Sequence, residues 1–450
     1  MNTETFETKL YDLLADHING IYNIDKYIEL LRIENSSILN YILSHAYYEL
    51  GDIKNAEKYR NIAAGINSNI IFEESYENIL TYIYLIYTTI TTHPSLFKDD
   101  EIDELISDNP SADDYLKASE AYRNNNDISN AVRINKLGRE KFPNESSLLF
   151  DLASNLLYSR DVNSAWEYNE KRFDRVRSKL PQYLDRPKFE LQNTSAKVYI
   201  YPVTKFGDTI FFSRYLFKLK QDYPDLKLIF SPDTPLRTLF EENGIKTYDK
   251  PEINDVDYQI SIEGLAYLYR DRETKVLTEG YLKADKEKAE YYRCKYINKS
   301  KLNIGFVWNT SKQSDIRNMP LELFEDLFSL DNTQFYALQK DVNIREELNL
   351  SRHFIPCPVR QMADFSDTAA FIENLDIVIG CDTSVTNLSG AMGKHTIIIL
   401  PTHADWRWEL YEQNSNWYKS VKLFRKRPNQ NYEEVFERIK KFLQKILNSD

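Results

Sequence analysis

The order of hydrophobic and polar positions divides the chain into two parts with different predicted secondary structure. Residues 1–185 contain amphipathic stretches with apolar residues at helical spacing and few strand signals. From about Lys197 onward, short runs of β-branched and aromatic residues alternate with amphipathic stretches. This alternation is typical of βα units around a parallel sheet. The pattern therefore predicts an all-helical first part and an α/β second part.

Small residues and an aspartate recur in the first part at a spacing of 34 positions. The matching sets are Ala121, Asp127 and Ala131, and then Asn155, Asp161 and Ala165. This period is typical of tetratricopeptide repeats, in which small residues allow two helices to pack closely. Leu50-Gly51-Asp52 and Ala56 fit the same template, with a degenerate repeat expected in between. Residues 1–185 are thus predicted to form tetratricopeptide-like helical repeats, and an irregular bundle with coincidental alanines is the alternative.

The second part contains two series of predicted strands. The first series is Lys197–Tyr201, Leu226–Phe230 and Tyr258–Ile262, and the second is Asn303–Trp308, Gln334–Leu338, Asp376–Gly380 and Thr396–Leu400. We expect two Rossmann-like domains, over residues 186–290 and 291–450, with a final helix over about 431–447. Open parallel sheets bind ligands at the carboxyl ends of their strands. The active site is therefore expected in a cleft between the two domains.

Composition and charge exclude several classes of protein. The net charge of -12 disfavours a general nucleic-acid or anionic-membrane binder, because polyanions would be repelled. The three cysteines are far apart, so a disulfide framework is not expected and a reducing cytoplasm fits best. No apolar run approaches the ~20 residues that a transmembrane helix needs. These features together predict a cytoplasmic protein. No pair of histidines has metal-ligand spacing, so we expect no metal site.

The first candidate for chemistry is Asp208. It follows the predicted strand Lys197–Tyr201 and lies at the start of a helix predicted over Thr209–Lys220. A carboxylate at this position either caps the helix or acts as a general base toward an attacking hydroxyl. Gly207 would allow the backbone to approach a ligand closely. Lys205, Gly207 and Thr209 are therefore candidates for the cleft wall.

The second candidate is the start of the helix that follows the strand ending at Gly380. Its residues of interest are Asp382, Thr383, Ser384, Val385 and Asn387. A diphosphate would bind there through free N–H groups, hydroxyls and the positive end of the helix dipole. The alternative is that these residues form an ordinary helix cap. Lys312 and Arg317, in the loop after strand Asn303–Trp308, are expected to add positive charge, because a guanidinium suits bidentate phosphate contacts.

Tryptophans are concentrated after the predicted strand Thr396–Leu400. Trp406, Trp408 and Trp417 fall within twelve residues. They either pack the domain or form a wall on which the ring of a ligand stacks. Trp308, Asp405 and Trp406 are the further candidates for the cleft wall.

These motifs also carry a family resemblance. The matching residues are Gly207-Asp208-Thr209-Ile210, Phe212 and Arg214-Tyr215-Leu216; Asp382-Thr383-Ser384, Leu388 and Gly390-Ala391; and Pro401, Asp405-Trp406-Arg407-Trp408, Trp417-Tyr418 and Leu423-Phe424-Arg425. With them, the chain resembles tetratricopeptide-containing bacterial glycosyltransferases whose catalytic half is related to the ADP-heptose lipopolysaccharide heptosyltransferases. Arg317 lies where these relatives carry a basic residue. Two departures are Thr204-Lys205 in place of a Gln-Gly pair and Asn387 in place of a common histidine.

The resemblance implies a GT-B fold and inverting, metal-independent glycosyl transfer. Asp208 would be the catalytic base, and the helix starting at Asp382 would hold the diphosphate of a nucleotide-sugar, which is a co-substrate and not a cofactor. The expected acceptor is a Ser or Thr hydroxyl of a protein bound by the concave face of the repeats. A cell-surface glycan or lipid-linked sugar is the second choice, and similar repeats also form homo-oligomers. The rival hypothesis is a non-catalytic scaffold with a degenerate nucleotide-binding half, favoured by Lys205 and Asn387.

Overall fold

The computed structural model describes most of the chain. The described residues are 13–14, 17, 22–33, 37–66, 110–124, 127–176, 183–271, 278–312, 315–340, 354–356, 362–402, 404–409, 413–426 and 430–448. They fall into two compact units, one within residues 1–109 and 120–127 and the other within residues 110–119 and 128–450. The degenerate repeat expected between the helical pairs lies outside the described residues.

The described residues of the first part of the chain form helices, as the sequence predicts. The helices are α1 (Ile24–Ile33), α2 (Ser37–Glu49), α3 (Ile53–Ile66), α4 (Ala112–Asn124), α5 (Ile128–Lys141), α6 (Ser146–Tyr158) and α7 (Val162–Val176). Three turns contain the same type of backbone hydrogen bond. In each, the N–H of an aspartate, Asp52, Asp127 or Asp161, donates to the carbonyl five residues earlier at 2.9 Å. The recurring aspartates therefore mark equivalent turns of helical pairs. Membership of the tetratricopeptide family stays a prediction.

The second part contains two parallel sheets. The first has the order β2-β1-β3, from β1 (Lys197–Tyr201), β2 (Lys227–Phe230) and β3 (Tyr258–Ser261). The second has the order β6-β5-β4-β7-β8-β9, from β4 (Leu302–Val307), β5 (Thr333–Ala337), β6 (Ile355–Pro356), β7 (Ile377–Cys381), β8 (Thr396–Leu400) and β9 (Val421–Arg425). Both sheets are Rossmann-like, with all described strand pairs parallel.

Helices follow the strands of both sheets. They are α8 (Phe206–Asp222), α9 (Arg237–Glu242), α10 (Leu265–Leu268), α11 (Lys286–Tyr296), α12 (Glu325–Phe328), α13 (Phe365–Ile372), α14 (Ser384–Ala391) and α15 (Tyr432–Leu447). Asn431 caps α15 in a capping box with Glu434, and the helix buries Val435, Phe436 and Ile439. Among the described residues, no helix has the length and apolarity needed to span a bilayer.

One hydrophobic core extends through most of the second unit. It includes Leu152 and Trp166 from the helical pair α6–α7, Ile200 from the first sheet and Ile398 from the second. A second core lies between the other face of the six-stranded sheet and α15. The pair α6–α7 is thus packed as part of the same folded body as the two sheets. This packing fixes the position of helical residues beside the carboxyl ends of the strands.

Candidate active site

The two helices that the sequence singles out begin next to each other. The helices α8 and α14 pack together, each directly after a strand of its own sheet. A Cβ added to Gly207 would lie 3.5 Å from the Ser384 Cα, so the first turns of the helices are separated by little more than van der Waals distance. The candidate base and the candidate phosphate site are therefore brought together, as expected for carboxyl ends of parallel strands.

Two cavities open at this point. The larger has a volume of about 810 Å³ and the smaller of about 480 Å³. Their shared walls are formed by Thr204, Asp208, Arg317, Asp382 and Arg407. We call this shared region the junction. Asp208 therefore faces both cavities.

The larger cavity contains all seven residues predicted for donor binding, together with two that were predicted for the cleft wall. Lining it are Lys205, Gly207, Lys312, Arg317, Asp382, Thr383, Ser384, Val385 and Asn387. Leu338, Met362 and Phe365 also line it, and the ring of Phe365 lies edge-on to that of Phe206, with 5.5 Å between ring centroids. The cavity is thus lined by both charged and apolar side chains.

The start of α14 is stabilised by its own side chains. Thr383 is the N-cap residue, and its N–H donates to Thr386 Oγ1 at 3.0 Å. Asn387 is buried and donates to Asp382 Oδ1 at 3.0 Å, while its own Oδ1 accepts from the Tyr418 hydroxyl at 3.2 Å. Asn387 therefore holds the Asp382 side chain in place, which is a role that local sequence did not predict.

Arg317 connects the loop after β4 to the start of α14. Its guanidinium forms a two-point contact with Asp315, at 2.9 and 2.7 Å, and Nη1 donates to the Asp382 carbonyl at 2.9 Å. The hydrogen bond from Arg317 lowers the pKa of Asp315 to about 2. More than a third of the Arg317 side chain stays exposed, so it can still meet a ligand.

Asp208 does not cap its helix, contrary to one of the two roles that the sequence left open. The N-cap residue of α8 is Lys205, which makes no side-chain cap hydrogen bond. The Asp208 carboxylate instead forms an ion pair with Arg407, which comes from the 3₁₀ helix Trp406–Trp408. Asp208 keeps 24% of its side chain exposed in the junction. The arrangement places the Asp208 carboxylate, paired with a guanidinium, at the meeting point of the two cavities.

The smaller cavity is lined by helical residues as well as by the sheets. Phe150 and Ser154 come from α6, and Trp166 and Asn169 come from α7. Trp406 lines the same cavity and packs edge-on against Trp166, with 5.5 Å between ring centroids. Trp406 thus both packs the core and forms a wall, and Asp405 lines the cavity beside it.

Glu263, which follows β3, fixes the loop that leads to Asp208. It is buried and accepts hydrogen bonds from the N–H groups of Val203 and Thr204, both at 3.0 Å, and from the Thr204 hydroxyl at 2.6 Å. Burial raises the pKa of the Glu263 carboxyl, and these hydrogen bonds partly oppose that change. Glu263 therefore positions the loop from behind.

Two predicted wall residues are placed elsewhere. Trp308 is buried in the core of the second sheet, stacked on Phe306 at 5.5 Å, and lines neither cavity. Thr209 is buried as well, and its hydroxyl donates to the Lys205 carbonyl at 3.3 Å. Trp308 is not in the cleft wall because it follows β4 on the face of the sheet that packs against α15, and its side chain belongs to the second core. Thr209 points into its own helix.

Sequence reasoning also missed residues that the structure places at the site. They are Phe150, Ser154, Trp166, Asn169, Glu263 and Arg407. Of these six residues, only Arg407 belongs to a motif of the family resemblance, Asp405-Trp406-Arg407-Trp408, and the sequence predicted no role for it. In the described part of the chain, no group of three or more His, Cys, Asp or Glu side chains is arranged to hold a metal ion.

Comparison with known proteins gives weak structural similarities. No protein-family model matches the chain, and no curated protein matches its sequence significantly. Among solved structures, a glycosyl transferase family 9 protein from Veillonella parvula has 13% identity and a TM-score of 0.46, covering 58% of this chain and 99% of its own. An E. coli heptosyltransferase with ADP has 12% identity and a TM-score of 0.39, covering 55% and 99%. An O-GlcNAc transferase of Thermobaculum terrenum has 11% identity and a TM-score of 0.24, covering 100% and 94%.

These neighbours are glycosyltransferases, with sequence identities of 13% or less. Because each of these TM-scores is below 0.5, a function for this chain has to be inferred from its own residues.

Proposed function

We propose that this protein is a glycosyltransferase that moves a sugar from a nucleotide-sugar donor to an acceptor hydroxyl. The supporting observation is that the Asp208 carboxylate lies where a larger and a smaller cavity meet. A two-substrate transfer needs two such spaces with a proton acceptor between them. The three-domain division at about residues 185 and 290 and the GT-B architecture are part of this proposal.

The donor is proposed to occupy the larger cavity. Its volume is within the range of small-molecule sites. The start of α14 and Arg317 would contact the diphosphate, because unpaired N–H groups and a guanidinium are suited to anions. Lys205 and Lys312 line the same cavity and would add positive charge. The nucleoside would pack against apolar lining residues such as Met362 and Phe365.

In the proposed reaction, Asp208 takes the proton from the acceptor hydroxyl. The hydroxyl oxygen attacks the anomeric carbon as the bond to the diphosphate breaks, so the configuration inverts. Arg317 and the start of α14 stabilise the charge that develops on the leaving diphosphate. No step is assigned to a metal ion.

The acceptor is proposed to enter through the smaller cavity and to be a protein segment with a Ser or Thr hydroxyl. Two exposed apolar side chains support this choice, Phe150 at 48% and Ile316 at 71% exposure. Both line the smaller cavity, where they would contact apolar atoms beside the reacting hydroxyl. A glycan acceptor, which would contact the polar side chains of the same cavity, is the second choice.

The test is a screen of UDP-, GDP-, ADP-, CMP- and dTDP-sugars by thermal shift and by donor hydrolysis. We expect one nucleotide class to raise the melting temperature and to be hydrolysed slowly without an acceptor. Intact-mass spectrometry of candidate surface proteins, incubated with that donor, should then show a mass increase of one sugar. No binding by any donor would contradict the proposal.

A second function, a non-catalytic nucleotide-binding scaffold, is favoured by one observation. The Asp208 carboxylate is paired with Arg407, and such an ion pair can serve to stabilise the fold alone. Binding of a nucleotide-sugar without hydrolysis or transfer to any tested acceptor would support the scaffold.

A further inference from the structure

We propose that Arg407 is a positioning residue that holds the Asp208 carboxylate in the junction with one oxygen directed to the acceptor. This inference rests on the proposed glycosyl transfer, because it gives Asp208 its role as base. Arg407 Nη2 donates to Asp208 Oδ1, across 199 positions of sequence. From the described residues, Asp208 Oδ2 accepts no hydrogen bond. One carboxylate oxygen is thus held while the other is left to receive a proton.

The Arg407 guanidinium is itself fixed from several directions. Its Nε lies 3.5 Å from Asp405 Oδ1, and its charged group lies over the rings of Phe211 and Trp406 at 4.9 and 5.3 Å. The side chain is only 12% exposed. A planar guanidinium held by carboxylates and aromatic faces keeps one orientation, whereas a flexible surface arginine would not.

The backbone that carries Arg407 is also held firmly. Asp405 Oδ1 accepts the Arg407 N–H at 3.1 Å. Arg425, from β9, donates to the carbonyls of Trp408 and Glu409 at 2.8 and 2.6 Å. Glu409 has a φ of 53°, which is uncommon for a residue other than glycine. Such conformations persist only where the surroundings impose them and are concentrated at functional sites.

Other carboxyl groups lie near Asp208, so its carboxylate requires a cationic partner. Glu263, Asp382 and Asp405 line the smaller cavity as well, so Asp208 is one of four carboxyl groups there. Without Arg407, their mutual repulsion and free rotation about χ1 would turn the Asp208 carboxylate away from a productive position. A displacement of about 1 Å at a reacting group costs on the order of 10²-fold in rate.

The activity test compares Arg407→Lys, Arg407→Gln and Arg407→Ala with the wild type. We expect Arg407→Gln to lower kcat by about 10²-fold while the donor KM changes little. Arg407→Lys should recover part of the loss, and added guanidinium ion should partly rescue Arg407→Ala. Arg293→Gln, which removes a surface arginine paired with Glu290 on α11, is the matched control and should behave as wild type. An unchanged kcat, or a higher donor KM with an unchanged kcat, would overturn the inference.

A second measurement does not depend on activity. Urea unfolding of Asp208→Asn, Arg407→Gln and the double variant forms a thermodynamic cycle. We expect Arg407→Gln to shift the unfolding midpoint much more in the wild-type background than in the Asp208→Asn background, because it leaves a half-buried carboxylate without its cation. Equal shifts would overturn the inference even if transfer is observed. If no donor is transferred but the coupling is present, the proposed function fails and the pairing stands.

Discussion

The two cavities share charged residues but differ in their balance of charge. The larger is lined by five basic and five acidic side chains: Lys205, Lys312, Arg317, Lys340 and Arg407, with Asp208, Asp233, Asp315, Asp364 and Asp382. The smaller is lined by two basic and four acidic ones: Arg317 and Arg407, with Asp208, Glu263, Asp382 and Asp405. A diphosphate is therefore better accommodated in the larger cavity, and a neutral hydroxyl acceptor in the smaller.

The two shared arginines extend this comparison. Arg317 is partly exposed, and its pKa is raised mainly by its hydrogen bond to Asp315. Arg407 is nearly buried; burial lowers its pKa, but the charges of Asp405 and Asp208 more than offset this and raise it. Both guanidiniums are paired with carboxylates of the protein, but Arg317 keeps more than a third of its side chain exposed to a ligand, whereas Arg407 is nearly enclosed. The predictions below test this division.

Substitution of Asp208 should have the largest effect. We expect Asp208→Ala to lower transfer by about 10²–10⁴-fold, the usual contribution of a general base, while nucleotide-sugar affinity stays close to wild type. Steady-state kinetics and isothermal titration calorimetry measure the two quantities. The control is Asp225→Asn, at an exposed position between α8 and β2. Full activity of Asp208→Ala would disprove the assignment of the base.

Substitution of Arg317, which lines both cavities, should weaken binding of the anionic donor far more than binding of a neutral acceptor. Loss of a charge-assisted hydrogen bond of about 1.5–3 kcal/mol predicts a 10–100-fold weaker Kd for the nucleotide diphosphate in Arg317→Ala. The KM for the acceptor should remain within about twofold. Arg317→Lys is expected to lie in between, since an ammonium cannot form the two-point contact. An equal loss in both substrates would show that the two cavities do not act separately.

Substitution of Phe150 should affect only the smaller cavity. Loss of its apolar contact of about 1–2 kcal/mol predicts a roughly 5–30-fold higher acceptor KM in Phe150→Ala, with donor hydrolysis unchanged. Leu137→Ala is the control, because Leu137 is similarly exposed on α5 but does not line the cavity. Point variants are preferable to deleting the helices, since Trp166 belongs to the core shared with the sheets. An unchanged acceptor KM would remove α6 from the acceptor site.

Substitution of Glu263 should have the smallest effect, seen as a pH dependence of stability. Its folded pKa is raised by burial, so the folded state binds its proton more tightly than the unfolded state. This contribution to stability is fully present below the ordinary Glu pKa and is lost as the pH rises through the raised value. Relative to Glu263→Gln, the wild type should therefore lose stability in urea titrations as the pH rises above the ordinary Glu pKa of about 4.3. The opposite slope would show that the hydrogen bonds from Val203 and Thr204 outweigh burial.

Local sequence was sufficient for most of the secondary structure. Strands β1 and β8 have the predicted bounds, and α8 begins three residues earlier than expected. Two strands were missed for different reasons. Ile355–Pro356 is only two residues long, and Val421–Arg425 follows a tryptophan-rich loop whose pattern has no clear period. A short strand is defined by its hydrogen bonds to the adjacent strands of the sheet, and the periodicity of the sequence contains no information about which strands are adjacent.

The sequence by itself determined the helical pairs, most of the parallel strands and the approximate helix starts near Asp208 and Ser384, because hydrophobic period, turn aspartates and helix caps act over a few residues. Tertiary structure alone decided that Arg407 pairs with Asp208, that Glu263 holds Thr204 and that α6 lines the smaller cavity. The first two of these contacts join residues that are 199 and 59 positions apart in the sequence. Charge pairing and cavity shape depend on where separate elements meet in space, and that information is absent from local pattern.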